Sequence, residues 1–227
     1  MESGNQITNG KMEAEGANIY GQPPSLELHK KFFFLSPQDC HLLWIQLTDV
    51  YTDVPEPRHL LWTLLFMKQY NKVEILSSMV GAAKDEYWCI VAPLLDQISK
   101  LNRQEFCEGT LFTAVTCPLP NIPEDAVDFL NYYCVNKGCH AVRYLVGFSN
   151  GKPIWNGGQH PGSHTFDCMV LNEMPDTDPL YLKEDHQVVA NLSSTWECLK
   201  KPFSQGPLKH EVVFNAVMAV SNISAHL

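Results

Sequence analysis

Apolar and polar side chains alternate most clearly between residues 141 and 148. The two alternating sets are Val142, Tyr144, Val146 and Phe148, and Ala141, Arg143, Leu145 and Gly147. Alternation of this kind, with β-branched and aromatic residues, predicts a strand with two different faces. Asn150-Gly151 follows, and it favours a two-residue hairpin turn because both residues reach positive φ at low cost. The pattern therefore predicts two antiparallel strands, the second containing KPIWN.

The residues after this hairpin predict a break in the chain and then a helix. Beyond Trp155, the glycines and Pro161-Gly162 are expected to end the second strand. Ser163 can accept a hydrogen bond from an exposed N–H and so cap a helix, which Pro175 would stop. Asp167 then lies in the first turn of this helix. The helix dipole stabilises a carboxylate at that position, which is a sufficient structural explanation for it.

Helical periodicity dominates the N-terminal half of the chain. Ser36-Pro37 predicts the start of a helix of about fourteen residues, since serine is a good N-cap and proline suits the first helical position. The segment from Arg58 to Asn71 is apolar almost all round, as expected for a helix buried in the middle of a bundle. Residues 1–23 are polar and lack any period, and we expect them to form a disordered tail.

A short helix, a glycine and a longer helix come next. The short helix is expected from Lys72 to Val80, Gly81 ends it, and the longer helix runs from Lys84 to about Lys100. This succession is the outline of a helix-turn-helix unit. Pro93 lies inside the longer helix and predicts a kink or an early end. We interpret residues 24–103 as one helical bundle.

Three segments supply the other predicted elements. Residues 111–116 and 187–190 have strand composition, and the second of these is short and apolar. Residues 209–227 are apolar at helical spacing. Helices and strands together predict a mixed α/β (α+β) chain.

Composition limits the classes of protein to which the chain can belong. Its 227 residues are 45% hydrophobic and 18% charged, which is enough to bury a core. Neither a membrane span nor a signal-peptide pattern is expected, so we predict a protein inside the cell. The eight cysteines show no repeated short spacing, which favours reduced thiols over disulfides or a zinc site. A net charge of −9 disfavours binding along phosphate backbones.

The order strand, Asn-Gly turn, strand, Gly-Ser-x-x-x-Asp and helix resembles the nuclease domain of Harbinger-type (PIF/Harbinger) DDE transposases and their domesticated relatives. The residues that carry this resemblance are Asn136, Lys137, Gly138 and His140 before the first strand, and Pro161, Gly162, Ser163, Asp167, Cys168 and Leu171 after the second. The segment from Leu60 to Ile98 resembles the helix-turn-helix region that precedes this domain. The resemblance implies that residues 104–227 form an incomplete, degenerate ribonuclease-H-like DDE domain.

Two-metal phosphodiester chemistry depends on carboxylates that bridge cations about 4 Å apart. The resemblance places the four metal-facing positions at Glu108, Asp167, Asn191 and His226. Only Asp167 keeps the family's residue, since the family has Asp at the first and third positions and Glu at the fourth. A second alignment, with Asn222-Ile223-Ser224 opposite a later segment, also lacks the last acid. We therefore expect Glu108 and Asp167 to bind Mg²⁺ or Mn²⁺ weakly or not at all, and Lys137 is a candidate phosphate contact.

The resemblance leaves two functions open. The first is a catalytically inactive, transposase-derived module that binds DNA or protein in the nucleus or cytoplasm, with a Myb-like DNA-binding protein as the expected partner. The second is a divalent-metal endonuclease in which Glu108, Asp167 and His226 replace the usual acids. Asp85 and Glu86, in the first turn of the longer helix, would face phosphates and so disfavour base readout. A purely structural or protein-binding bundle and residual DNA binding both stay open.

A separate hypothesis concerns His140, His160 and His164, which lie near Asp167 in the sequence. Clusters of His and Asp bind transition metals. The spacings fit no standard site, so an adventitious zinc or manganese site is the weaker expectation.

Overall fold

The computed structural model describes residues 26–54, 56–101, 110–120, 122, 129–150, 152–174, 192, 195–203 and 207–223. The predicted tail 1–23 and the predicted strand 187–190 lie outside these residues. The helices are α1 (Leu26–Phe33), α2 (Pro37–Val50), α3 (Pro57–Gln69), α4 (Val73–Met79), α5 (Lys84–Ser99), α6 (Phe129–Tyr132), α7 (Phe166–Glu173), α8 (Glu197–Lys200) and α9 (Pro207–Ile223). The strands are β1 (Leu111–Pro118), β2 (Tyr133–Cys134), β3 (Cys139–Ser149) and β4 (Lys152–Pro161).

Local capping signals set the start of α2 as the sequence predicts. The Ser36 hydroxyl accepts a hydrogen bond from the Asp39 N–H at 3.1 Å, and the Asp39 carboxylate accepts one from the Ser36 N–H at 3.2 Å. This reciprocal pair satisfies two donors that the helix end would otherwise leave unpaired. Helix α1 is not among the helices that the sequence analysis predicts.

Helices α3, α4 and α5 confirm the predicted bundle elements. Nine residues of α3 are buried, from His59 to Met67. Gly81 has a φ of +70° between α4 and α5, which explains why a glycine ends the shorter helix. The early end predicted at Pro93 is wrong, because α5 continues to Ser99. Pro93 is exposed, while Tyr87, Val91, Leu94 and Ile98 are buried, so packing on the opposite face holds the helix together across the missing N–H.

Strand β3 is the centre of an antiparallel sheet, with β1 on one side and β4 on the other. Ser149 pairs with Lys152 and Asn150 has a φ of +51°, which confirms the two-residue turn. Strand β4 does not break after Trp155, as the glycines predict, but continues to Pro161. Its register against β3 shifts twice, between Gly147 and Phe148 and between Tyr144 and Val146. The glycine-rich segment therefore accommodates bulges within the strand.

One large apolar cluster joins the helical bundle to the sheet. It contains residues of α2, α3 and α5 together with Val115 of β1, Tyr144 of β3 and Phe214 of α9. The Lys68 ammonium also donates a hydrogen bond to the Thr195 carbonyl at 2.7 Å, across the predicted boundary between residues 103 and 104. Helices and an antiparallel sheet thus form the mixed α+β architecture that the sequence predicts. Among the described residues, no helix is long and apolar enough to cross a membrane.

Candidate functional site

Asp167 lies where the sequence predicts, in the first turn of α7. Its side chain is exposed, whereas Met169 and Val170 on the same helix are buried against the sheet. The predicted N-cap is wrong by two residues, because the Thr165 hydroxyl accepts the hydrogen bond from the Cys168 N–H at 3.3 Å. Ser163 instead donates its backbone N–H to the Asn131 carbonyl at 3.0 Å. Helix α7 therefore presents a solvent-facing carboxylate on a short, capped turn.

Gly162 permits the close approach that brings the chain from β4 into α7. A Cβ atom at this position would lie 2.6 Å from the carbonyl oxygen of Ala141 and closer still to that of Tyr132. Both obstacles are backbone atoms of neighbouring segments, so a side chain could be accommodated only by moving them. The close packing of the backbone at this turn thus explains why the residue after Pro161 is a glycine.

Near Gly162, charged and aromatic side chains lie close together on the face of β3 and β4 that α7 covers. The His160 Nε2 and Glu173 Oε1 atoms lie 3.1 Å apart without the geometry of a hydrogen bond. The His160 and His164 rings are 5.8 Å apart, and the Arg143 guanidinium donates to the His164 carbonyl. Burial lowers the pKa of His160, and His164 and Arg143 lower it further. Burial also raises the pKa of Glu173.

His140 does not join this group. Its ring contacts Phe129 and Tyr133, and its Nδ1 accepts a hydrogen bond from the Ile122 N–H at 3.3 Å. Strand side chains alternate between faces, and His140 is three residues from Arg143, which pairs with His160. His140 therefore lies on the opposite face from His160, although both histidines are near Asp167 in the sequence. Within the described part of the chain, no three His, Cys, Asp or Glu side chains are arranged to hold a metal ion.

Three of the four metal-facing positions implied by the resemblance cannot be placed. Glu108, Asn191 and His226 lie outside the described residues, so their convergence with Asp167 stays a prediction. Lys137, the candidate phosphate contact, lies exposed in the turn between β2 and β3. Its backbone N–H donates to the Cys134 carbonyl at 3.1 Å. Of the predicted site residues, only Asp167 and Lys137 have described positions.

The α4–α5 unit has the helix-turn-helix outline, but the exposed surface at the start of α5 is acidic. Asp85 and Glu86 are exposed in the first turn of α5. Lys84, the cation beside them, forms an ion pair with Glu74 of α4 at 2.6 Å. The position that meets phosphates in a DNA-reading helix thus carries two carboxylates and a lysine already paired with a third.

An open groove between α2, α5 and α9 is a feature that the sequence analysis did not find. Its volume is about 720 Å³, and its lining residues are Leu42, Gln46, Asp49, Val50, Lys100, Leu101, Ala219, Asn222 and Ile223. Leu42 is 51% exposed and Val50 is 59% exposed, so the groove presents unusually accessible aliphatic surface. The sequence of α2 contains a signal for this groove. Its apolar residues occupy more of the helix circumference than the single stripe that a helix buries against a core.

A second feature missed by the sequence analysis is a polar network between the sheet and α9. The Tyr144 hydroxyl lies 2.8 Å from His210 Nδ1 and accepts a hydrogen bond from the Gln159 amide at 3.0 Å. Burial lowers the pKa of His210 to about 4. Tyr144 and His210 are fully buried, so this part of the network supports the core, whereas Gln159 is partly exposed at its edge.

Comparison with known protein families, characterised proteins and solved structures gives no significant match for this chain.

Proposed function

We propose that this chain is a degenerate, transposase-derived protein of the Harbinger type that acts as a protein-binding module and does not cleave DNA. The proposal gives residues 104–227 an incomplete ribonuclease-H-like fold. The helical bundle binds a partner protein, and the protein acts in the nucleus or cytoplasm. The observation that carries it is the acidic outer surface of the α4–α5 unit.

The acidic surface supports protein binding over DNA binding on electrostatic grounds. Asp85, Glu86 and Glu74 would each lie near phosphates if α5 entered a major groove, and like charges at short range repel. Freeing Lys84 for a phosphate would first require breaking its 2.6 Å ion pair with Glu74. The chain's net charge of −9 acts in the same direction.

The surroundings of Asp167 support the absence of DNA cleavage. Its carboxylate is exposed on α7, and the other carboxylate of that helix is Glu173, which lies beside His160. Mg²⁺ and Mn²⁺ prefer several oxygen ligands. The family positions that would supply them are Glu, Asn and His at 108, 191 and 226. A ligand set of this kind holds two cations poorly.

The groove between α2, α5 and α9 supports a basic protein as the partner. Asp49 of α2 lines the groove, and the lysine that lines it, Lys100, is already paired with Asp96 at 2.6 Å. Exposed Leu42 and Val50 add apolar surface beside the Asp49 carboxylate. An amphipathic helix with an apolar stripe and basic flanks is complementary to such a surface. A Myb-like DNA-binding protein, which the resemblance implies as the partner, has this chemistry because it binds DNA phosphates.

The decisive experiment measures nuclease activity, DNA binding and partner binding with the full chain. We expect no plasmid nicking with Mg²⁺ or Mn²⁺, and no change in anisotropy of a labelled duplex at low salt. Nicking that disappears in Asp167→Ala would replace the proposal with the endonuclease alternative.

Partner binding tests the positive half of the proposal. A purified Myb-type DNA-binding protein is titrated against the full chain, and Leu42→Asp with Val50→Asp is expected to weaken binding at least tenfold. Ile75→Asp is the matched control, because Ile75 is 49% exposed on α4 and does not line the groove. Equal affinities of the double variant and the wild type would exclude the groove. Binding lost equally in Ile75→Asp would show a nonspecific charge effect.

A further inference from the structure

The hairpin formed by β2 and β3 places two cysteines opposite each other. Cys134 pairs with Cys139 in the antiparallel register of these strands. The connecting turn is closed by the Cys134 carbonyl, which accepts hydrogen bonds from the Lys137 N–H at 3.1 Å and the Gly138 N–H at 2.9 Å. Gly138 has a φ of +63°, which lets the chain return directly into β3. The fold therefore fixes the two cysteines as direct cross-strand neighbours.

This arrangement suits a disulfide in its distances. Directly opposed residues of antiparallel strands have Cα atoms about 4.5 to 5.5 Å apart. Disulfides connect residues whose Cα atoms are about 4.4 to 6.8 Å apart. Side chains of a cross-strand pair also project from the same face of the sheet. Small side-chain rotations can thus bring the two sulfurs together without refolding the hairpin.

The two thiols differ in accessibility. Cys134 is 5% exposed, whereas Cys139 is half-buried and can be reached from solvent. Burial raises the pKa of Cys139, the neighbouring Cys134 raises it further, and Lys137 lowers it.

No other described cysteine combines a near partner with solvent access. Cys117 and Cys198 influence each other electrostatically, but both are 0% exposed. Cys40 is also 0% exposed. Cys89 and Cys168 are accessible to differing degrees, and each lies on a helix without a strand partner.

We propose that Cys134 and Cys139 form a reversible redox pair, oxidised by hydroperoxides to an intramolecular disulfide. The Cys139 thiolate attacks a peroxide oxygen, which becomes its sulfenic acid as the O–O bond breaks and water leaves. The Cys134 thiolate then attacks the sulfenic sulfur, the S–S bond forms, and the sulfenic oxygen leaves as a second water. Two thiols and one hydrogen peroxide thus give one disulfide and two waters. A dithiol reverses the reaction by thiol–disulfide exchange.

The bond ties together a short hairpin that carries an exposed turn. Only two residue pairs connect β2 to β3. Val135 in the turn is 81% exposed, and Asn136 and Lys137 beside it are exposed as well. The disulfide holds this surface in one conformation, whereas the reduced hairpin relies on its short ladder and turn hydrogen bonds. The redox state therefore controls the rigidity of the turn that presents Lys137.

The test uses trypsin, which cuts after Lys137 and so separates the two cysteines. Full-length protein is treated with equimolar hydrogen peroxide, remaining thiols are alkylated, and the digest is analysed without reduction. Oxidised protein should lose about 2 Da, the mass of two hydrogens. Peptide 138–143, which contains Cys139 alone among the cysteines, should stay linked to peptide 104–137 until dithiothreitol is added.

Matched variants identify the bond. Cys139→Ser and Cys134→Ser should each abolish the linked peptides, whereas Cys89→Ser and Cys168→Ser should leave them unchanged. The linked species in wild-type protein is a direct readout, so the result does not depend on how well any variant folds. Failure to lose mass, attachment of peptide 138–143 to any cysteine other than Cys134, or a link between peptides 104–137 and 184–200 in place of the expected one would overturn the proposal.

Discussion

The two faces of the sheet are covered to very different depths. On one face, α9 packs over Tyr144, Val146 and Phe148 within the large core cluster. On the other, α7 covers a small cluster made of Phe112, Ala114, Leu145, Met169 and Val170, with Trp155 and Phe166 only partly buried beside it. We will refer to these as the α9 face and the α7 face.

The difference separates stability from surface chemistry. The α9 face buries side-chain hydrogen bonds, such as that from the Asn156 side-chain amide to Asn215 Oδ1 at 2.9 Å. The α7 face has Asp167 and Glu173 exposed to solvent, with the buried His160 beside Glu173. A thinly covered face tolerates exposed charge, whereas a thick core requires every polar group to find a partner. The α9 face should therefore dominate folding stability, and any remaining binding chemistry of the sheet should lie on the α7 face.

The largest expected effect compares one buried side chain from each face. Phe214 is 0% exposed and stacks on the Tyr144 ring with centroids 3.7 Å apart. Phe214→Ala should lower the free energy of unfolding by about 3 to 5 kcal/mol, because it leaves a cavity in the main core. Met169→Ala on the α7 face should cost about 2 kcal/mol, since the short helix can settle into the space. Urea unfolding followed by circular dichroism measures both, and equal costs would contradict the contrast between the faces.

The next effect concerns pH and the α9 face. Burial lowers the pKa of His210 from 6.5 to about 4, so the folded state binds its proton less readily than the unfolded state. The stability that neutral His210 contributes is present above pH 6.5 and is lost as the pH falls towards 4. The loss is on the order of 3 kcal/mol, from about 1.4 kcal/mol per pKa unit.

The measurement is unfolding by urea at pH 7 and pH 4.5 for wild type and His210→Asn. Asn can still accept a hydrogen bond from Tyr144 but cannot be protonated, so its stability should fall less on acidification. Burial also lowers the pKa of His160. Both proteins contain His160, so its contribution cancels when the pH dependence of their stabilities is compared. Parallel pH profiles of the two proteins would show that His210 does not control acid stability.

Much of the fold could be predicted because it depends on local signals. Ser36-Pro37 starts α2, Gly81 separates α4 from α5, and Asn150 allows the hairpin between β3 and β4. Each signal acts within a few residues, through capping or through positive φ. The extent of α5 was predicted from its apolar periodicity, but the local signal of Pro93 indicated a kink or an early end, because tolerance of this proline depends on packing against other helices.

The candidate site was harder to predict because its register depends on bulges. The turn pairs Ser149 with Lys152, and an unbroken ladder would place Gly158 opposite Arg143. Two one-residue shifts bring His160 there instead, beside Glu173 of α7. Asp167 was predictable because its position follows from the start of a helix alone. The contact of His160 with Glu173 required the three-dimensional register.

A smaller effect tests how α7 begins. Thr165→Ala should destabilise the protein by about 1 kcal/mol, because it removes the hydroxyl that accepts from the Cys168 N–H. Ser163→Ala should have almost no effect, since Ser163 contributes its backbone N–H and its side chain is exposed. Chemical denaturation of the two variants compares the caps directly. A larger cost for Ser163→Ala would restore the cap that the sequence predicts.

The smallest expected effect concerns metal on the α7 face. A cation that binds only the folded state stabilises it by RT ln(1 + [L]/Kd), or about 2.7 kcal/mol at a hundredfold excess over Kd. Asp167 is exposed on α7, and the proposed function would join it with positions 108, 191 and 226, which are Glu, Asn and His. Cation binding at these positions should therefore be too weak to stabilise the folded state measurably. Millimolar Mg²⁺ is therefore expected to shift Tm by less than about 1 °C.

Asp167→Asn separates the metal contribution of this carboxylate from its structural one. Loss of its interaction with the helix dipole should lower stability by about 0.3 to 1 kcal/mol, and by the same amount with or without Mg²⁺. Differential scanning calorimetry across a Mg²⁺ and Mn²⁺ series measures both contributions. Saturable stabilisation of the wild type that disappears in Asp167→Asn or Glu108→Gln would reveal a working metal site. That outcome would make the α7 face a metal-binding surface and would favour the endonuclease alternative, because a carboxylate that gains stability from a cation in the folded state must share that cation with other ligands.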